Sequence, residues 1–150
     1  MAGGPTRQDT WKVNVTVEDV GNPNRPMMNL GTWDTKQGGE VDSEEFKFNP
    51  GGLGDAVSLG GRKNVGNVTV SRLYRLIRDH QDLSQRMING VGKARAIVAQ
   101  QPLDIDGNAF GRPIVYNGTL KRWTPPEHDS QSSDAAMVEM EITIEGQPVV

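Results

Sequence analysis

The chain has no cysteine among its 150 residues. Disulfides and thiolate metal sites are therefore excluded, as suits a protein that folds and acts in a reducing cytoplasm. Only two histidines occur, His80 and His128. Neither has marked carboxylate partners, so the sequence does not indicate a histidine-based metal site. Aromatic residues make up 5% and hydrophobic residues 35%, with 18 glycines beside them that pack nothing. The core is lean for its length, and oligomerisation is an expected source of further burial. Long apolar runs are missing too. The longest, Ala96 to Ala99, falls far short of the roughly 20 residues that span a bilayer. The first ten residues, MAGGPTRQDT, contain no apolar stretch of the kind a secretory signal needs. Positive charge is not in excess. The formal net charge is −3 and the pI about 5.4, which argues against tight electrostatic binding of nucleic acid.

The patterning is mainly that of strands. Residues 1–9 read as a flexible arm. Trp11, Val13, Val15 and Val17 alternate with Lys12, Asn14 and Thr16, the signature of a half-buried strand. A turn-rich GNPNRP follows, then a weaker strand at Met27 to Trp33. Glu40 to Phe48 starts acidic and places Phe46 and Phe48 on one side of a further strand. Asn49-Pro50-Gly51-Gly52 is a turn. Gly52 to Asn64, with glycines at 52, 54, 60 and 61, reads as loop or irregular edge. Val68 and Val70 form a short strand. Ser71 is then expected to cap a helix from Arg72 to Ile88, with Leu73, Leu76, Ile77, Leu83 and Met87 as its buried stripe. Asp82 and Gln85 fit a second capping box, and Gly90 and Gly92 stop the helix. Strands resume at Lys93–Gln100, Pro113–Trp123 and Ala135–Ile144. In the last of these Ala136, Val138, Met140, Ile142 and Ile144 alternate with Met137, Glu139, Glu141, Thr143 and Glu145. Six or seven strands with one interrupted helix are too few helices for parallel crossovers. The fold class is therefore mainly β, an antiparallel sandwich or split barrel with one flanking α-helix.

A search for chemistry finds none. Asp104-Ile-Asp106-Gly-Asn108 has the opening of a calcium loop, but its glycine is misplaced and position twelve is Val115; a turn is the better reading. Gly90-Val-Gly92-Lys93-Ala94 lacks the first glycine and the hydroxyl residue of a phosphate-binding loop. Gly52-Leu-Gly54 lacks the rest of a dinucleotide fingerprint. Asn14, Asn67 and Asn117 begin N-x-T triplets that matter only on a secretory route. The acidic run Glu40, Asp42, Glu44, Glu45 sits in a hydrophilic setting with nothing to shift a pKa, and so reads as a solvated or inter-subunit face. No serine has a marked His and Asp partner. No enzyme activity and no cofactor are expected.

The continuous block Gly38 to Tyr74, GGEVDSEEFKFNPGGLGDAVSLGGRKNVGNVTVSRLY, resembles a stretch of bacteriophage tail tube proteins, a superfamily that includes the tubes of type VI secretion systems. There a long inter-strand segment leads into a strand of the form GNVTL-K/S-R, and the single helix follows. The later stretch QPLDIDGNAFGRPIVYNGTLKRWTPPEHDSQSSDAAMVEMEI extends the resemblance. It implies a single tail-tube domain over residues 1–150 whose copies close into hexameric rings. The rings would stack into a hollow virion tail tube that conducts DNA into the host. Implied partners are further copies of the chain, tape measure, tail terminator and baseplate or tip proteins, and a sheath in a contractile tail. Double-stranded DNA would pass without specific binding, no membrane would be involved, and assembly would take place in the host cytoplasm.

Two sets of residues carry this expectation. Segment 38–64 would make inter-subunit contacts through Glu40, Asp42, Glu44, Glu45, Asn49, Pro50, Gly51, Gly52, Gly54, Gly60 and Gly61. The row Glu139, Glu141, Thr143 and Glu145 would face the channel, where carboxylates repel phosphates and let DNA slide. A small carbohydrate-binding β-sandwich is the alternative, with Trp11, Trp33 and Trp123 as a stacking platform.

Overall fold

The computed structural model describes residue 7, residues 10–48 and residues 57–150, with backbone alone for 44–48 and 57–62. The expected arm at 1–9 lies outside them except for Arg7, as does the expected turn at Asn49–Gly52. Among the described residues nine strands are formed: β1 (Trp11–Glu18), β2 (Met27–Trp33), β3 (Thr35–Gly38), β4 (Val41–Phe48), β5 (Val57–Val65), β6 (Val68–Leu73), β7 (Arg95–Pro102), β8 (Ile114–Thr124) and β9 (Met137–Ile144). A π-helical segment, Leu76–Leu83, runs directly into α1 (Ser84–Gly90) between β6 and β7.

Seven strands make one antiparallel sheet in the order β2-β1-β7-β8-β9-β6-β3. Its two edge strands, β2 and β3, are separated in the chain by Asp34 alone. Counting antiparallel steps across the sheet, both run in the same direction. They are thus two halves of one bent strand, the first pairing with β1 and the second with β6. Asp34 makes the switch. Its N–H donates to Ser71 O at 3.0 Å, and its carboxylate accepts the Leu73 N–H at 3.1 Å. The two edges of the sheet are thus joined through Asp34, without a continuous ladder round it. Among the described residues the second sheet is the β4–β5 ribbon.

Period-two patterning explains the core. Val13, Val15 and Val17 of β1, Val68 and Val70 of β6, Ala96 and Val98 of β7, Tyr116 and Leu120 of β8, and Val138, Met140 and Ile142 of β9 all turn inward into one cluster. Met87 of α1 joins them, and Gly90 lets α1 approach Ala94 closely.

Several local expectations are corrected. Ser71 caps no helix: alternation continues through it, so Arg72 points into the core and Leu73 pairs with Met137. The helix starts later, at Leu76, with Arg75 extended. Its buried face is Asp79, Leu83 and Met87, while Leu76 and Ile77 are 72% and 74% exposed. The reason is electrostatic: Arg72 is buried and needs a counter-charge, which turns the Asp79 face inward. The Asp82 box is also absent, since α1 follows the π segment with Leu83 at its N-cap position and no side-chain cap. Finally, Val57–Val65 is a strand, not a loop. The register breaks where Glu44 faces Gly61 and Arg62, next to the Glu45–Gly60 pair, and a missing Cβ at Gly61 eases the irregularity.

Candidate assembly surfaces

The β4–β5 ribbon is the first surface. Val41 pairs with Val65, Asp42 with Asn64, Glu45 with Gly60, Phe46 with Leu59 and Phe48 with Val57. Among the described residues the ribbon joins no larger sheet. An isolated two-stranded hairpin is at best marginal in water. Its root is set by glycine. Gly38 and Gly39 have φ of 84° and 83°. A Cβ on Gly39 would lie 2.7 Å from the Tyr116 ring, and one on Gly38 would collide with Asn67 O. At the root Gly66 N–H donates to Glu40 O at 2.8 Å. Of the residues expected to make inter-subunit contacts, Glu40 precedes β4, Asp42, Glu44 and Glu45 lie on β4, and Gly60 and Gly61 on β5. Asn49, Pro50, Gly51, Gly52 and Gly54 lie outside the described residues.

The outward face of the large sheet is the second. It carries Asn14 and Thr16, Asn117 and Thr119, Thr69 and Ser71, and the row Glu139, Glu141, Thr143 and Glu145. The row is not a bare carboxylate wall. A bulge between Leu120 and Arg122 brings two neighbouring cations onto it. Lys121 Nζ lies 3.3 Å from Glu141, and Arg122 lies 3.3 Å from Glu141 and 3.8 Å from Glu139. Thr119 donates to Glu145 at 3.0 Å. The doublet Lys121-Arg122, opposite the acidic row, was the available signal for this pairing, but only the bulge puts both side chains on it.

The third is the start of the helix. Arg72 is 2% exposed and Asp79 fully buried. Arg72 donates to Asp79 at 2.8 Å and to Leu30 O, and its guanidinium lies 4.2 Å from the Trp33 ring centroid. It thus bridges β6 to the unpaired edge of β2. Asp79 also accepts from Arg78, at 3.0 and 2.8 Å, and from the Arg75 N–H at 2.9 Å. Burial pushes the Asp79 carboxyl up. The hydrogen bonds from Arg78 and the Arg75 backbone, with the Arg72 charge, outweigh it and hold the pKa below its ordinary 3.8. For Arg72, burial outweighs the pull of Asp79 and lowers the pKa. Alternation alone could have flagged Arg72 as inward-facing, at i+2 from Val70. Around this cluster Leu73, Leu76, Ile77 and Met137 are exposed apolar side chains.

The tryptophans do not form a platform, because Trp33 is buried beneath Arg72 and Trp123 packs on the core. Asp104 spends its carboxylate on the backbone N–H groups of Asp106 and Asn108, as a turn requires. Among the described residues no three His, Asp or Glu side chains converge as a metal site would need.

No family model matches the chain, and no curated protein matches it. Solved structures do. A chain in the cryo-EM structure of the anti-feeding prophage baseplate is similar over 96% of this chain and 94% of its own, with a TM-score of 0.69 at 15% identity. A chain in the structure of the tube-terminating cap of the same particle has a TM-score of 0.65 at 12% identity, covering 99% and 92%. A chain in the PVC sheath-tube complex, from an extracellular contractile injection system, has a TM-score of 0.58 at 16% identity, covering 98% and 94%. At these identities the likeness establishes a shared fold.

Proposed function

We propose that this chain is a structural, non-enzymatic subunit of a phage-like tail particle, whose copies close into hexameric rings that stack into a hollow tube. The observation that carries the reading is the β4–β5 ribbon, a two-stranded arm that pairs with no other strand among the described residues. Such an element is stable where another copy covers it. The fold supports the reading, since it matches components of tail-like particles over nearly the full length of both chains. In this account the outward sheet face lines the conduit. Its paired charges, Lys121 and Arg122 against Glu139 and Glu141, leave little net field to hold a passing polyanion. Other tail proteins are the partners, and the particle is the location.

A second reading is that the subunit forms a ring at the end of a tube. It is favoured by the higher TM-scores of chains from the baseplate and cap structures. Replacing Asp42–Asn64 with a short turn tests the main reading. The variant should fold and sediment as a protomer while the intact chain polymerises. Unchanged polymers without the ribbon would refute the role given to it. Discrete rings that never lengthen in the intact chain would favour the tube-end reading.

A further inference from the structure

We infer that the turn between β7 and β8 of one copy docks on the helix start of the next, with Ile105 and Phe110 against the exposed cluster Leu73, Leu76, Ile77 and Met137. This rests on the proposed function and names a contact between copies that the ribbon does not supply. The turn is preformed. The Asp104 carboxylate accepts the N–H groups of Asp106 and Asn108, both at 2.9 Å, and Gly107 supplies a φ of 83°. Gln101 Nε2 donates to Phe110 O and Gly111 O, both at 3.2 Å. This frame holds Ile105 80% and Phe110 49% exposed. Covering a rigid apolar tip loses little conformational entropy. The two surfaces lie at opposite ends of the sheet. The turn continues from β7, whose Gln100 pairs with Ile114 at the start of β8. The cluster adjoins the far end of β8, where Thr124 pairs with Glu139, two residues past Met137. The 11 residues of β8 span about 33 Å between them, so the turn cannot fold back onto its own cluster. Two different apolar surfaces at opposite poles associate head to tail, and such contacts build rings or open filaments rather than closed two-fold dimers.

Charge selects a second copy of this chain as the occupant and sets its register. Ile105 is followed by Asp106, and Phe110, past Gly111, by Arg112. Both charged side chains are exposed, and neither makes a hydrogen bond or ion pair among the described residues. The acceptor has the opposite arrangement. Arg75 precedes Leu76 and Ile77; its backbone N–H donates to Asp79, while its guanidinium is exposed and unpaired among the described residues. On the other flank Glu127, Asp129, Asp134 and Glu139 line a cleft with Met137. Asp106 thus has a cation to meet beside Leu76, and Arg112 has carboxylates to meet beside Met137. Turning the tip by half a revolution would set Asp106 against the acidic cleft and Arg112 against Arg75, so like charges exclude that docking.

The test follows assembly of the full chain by sedimentation and electron microscopy. Ile105→Asp/Phe110→Asp alters exposed side chains only. The dilute protomer should keep its native circular dichroism and melting temperature, while assembly should need about 30-fold more concentration, as loss of central apolar contacts does at interfaces. Assembly at the native concentration overturns the docking and leaves the ribbon's role standing. An unaltered chain that stays monomeric overturns the functional reading itself. Charge reversal checks the register. Asp106→Arg and Arg75→Asp should each raise the concentration needed about fivefold, and the two together should restore the native value. A double variant no better than the singles overturns the proposal. Cross-linking leaves the charges in place: with no native cysteine, Ile77→Cys/Ile105→Cys should cross-link between copies in assembled material with a short bis-maleimide. Assembled material that gives only uncross-linked chains contradicts the docking.

Discussion

Replacing Asp79 with alanine strands the Arg72 guanidinium in the core. Arg72 would keep Leu30 O and the Trp33 ring but lose the carboxylate it donates to, at 2.8 Å, with 2% of its surface open to water. Breaking a buried ion pair from one side costs about 3–5 kcal/mol, because the remaining charge is left uncompensated. The same change frees Arg78 and the Arg75 N–H, loosening the helix start. For a domain of this length each kcal/mol is worth about 2–4 °C, so the melting temperature should fall by about 6–20 °C. The assay is thermal and urea unfolding of dilute protomer, with Leu76→Ala as the exposed control, expected within about 0.5 kcal/mol. Arg72→Met/Asp79→Leu should recover most of the loss, since apolar replacement of a whole buried pair is often neutral or stabilising. The pH dependence follows from the lowered Asp79 pKa. Its stabilisation is complete above the ordinary 3.8 and is lost as pH falls through the lower folded value, and Asp79→Asn removes that component. An Asp79→Ala shift no larger than that of Leu76→Ala would refute the reasoning.

Two further outcomes follow. Gly39→Ala forces a side chain into a φ of 83° and against the Tyr116 ring, so faster amide exchange along the ribbon and weaker assembly are expected; exchange unchanged from the native chain would mean the root tolerates a Cβ. Glu139→Lys/Glu141→Lys leaves Lys121 and Arg122 without their carboxylates. Assembled material carrying it should retain double-stranded DNA in a salt-dependent way, and equal elution at low salt would place the row away from the conduit.

How much of this was legible in the sequence depended on what set each element. Strands β1 and β9 could be read because one face is buried along their whole length, and burial imposes strict alternation on Val13–Val17 and Val138–Ile142. The helix misled. Leu73, Leu76 and Ile77 have the spacing of a buried stripe, yet the fold spends the inward face on Asp79 to satisfy Arg72, a requirement set by contacts between β2, β6 and the helix that no local window contains. β3 was missed because its four residues, Thr35–Gly38, are polar and are held by pairing to β6 rather than by their own burial. β5 was hidden by Gly60 and Gly61, which lie beside and at a register break. The pairing of Glu141 with both Lys121 and Arg122 depends on a bulge, which composition does not announce.

The central claim is that copies of this chain build a ring and stack it. Negative-stain electron microscopy of the purified full chain, concentrated at neutral pH, tests it most directly. The account predicts six-fold rings with a stain-filled centre and, as concentration rises, tubes of constant diameter made of those rings. A field of small single particles at every concentration, matched by a monomer mass in solution, would contradict it.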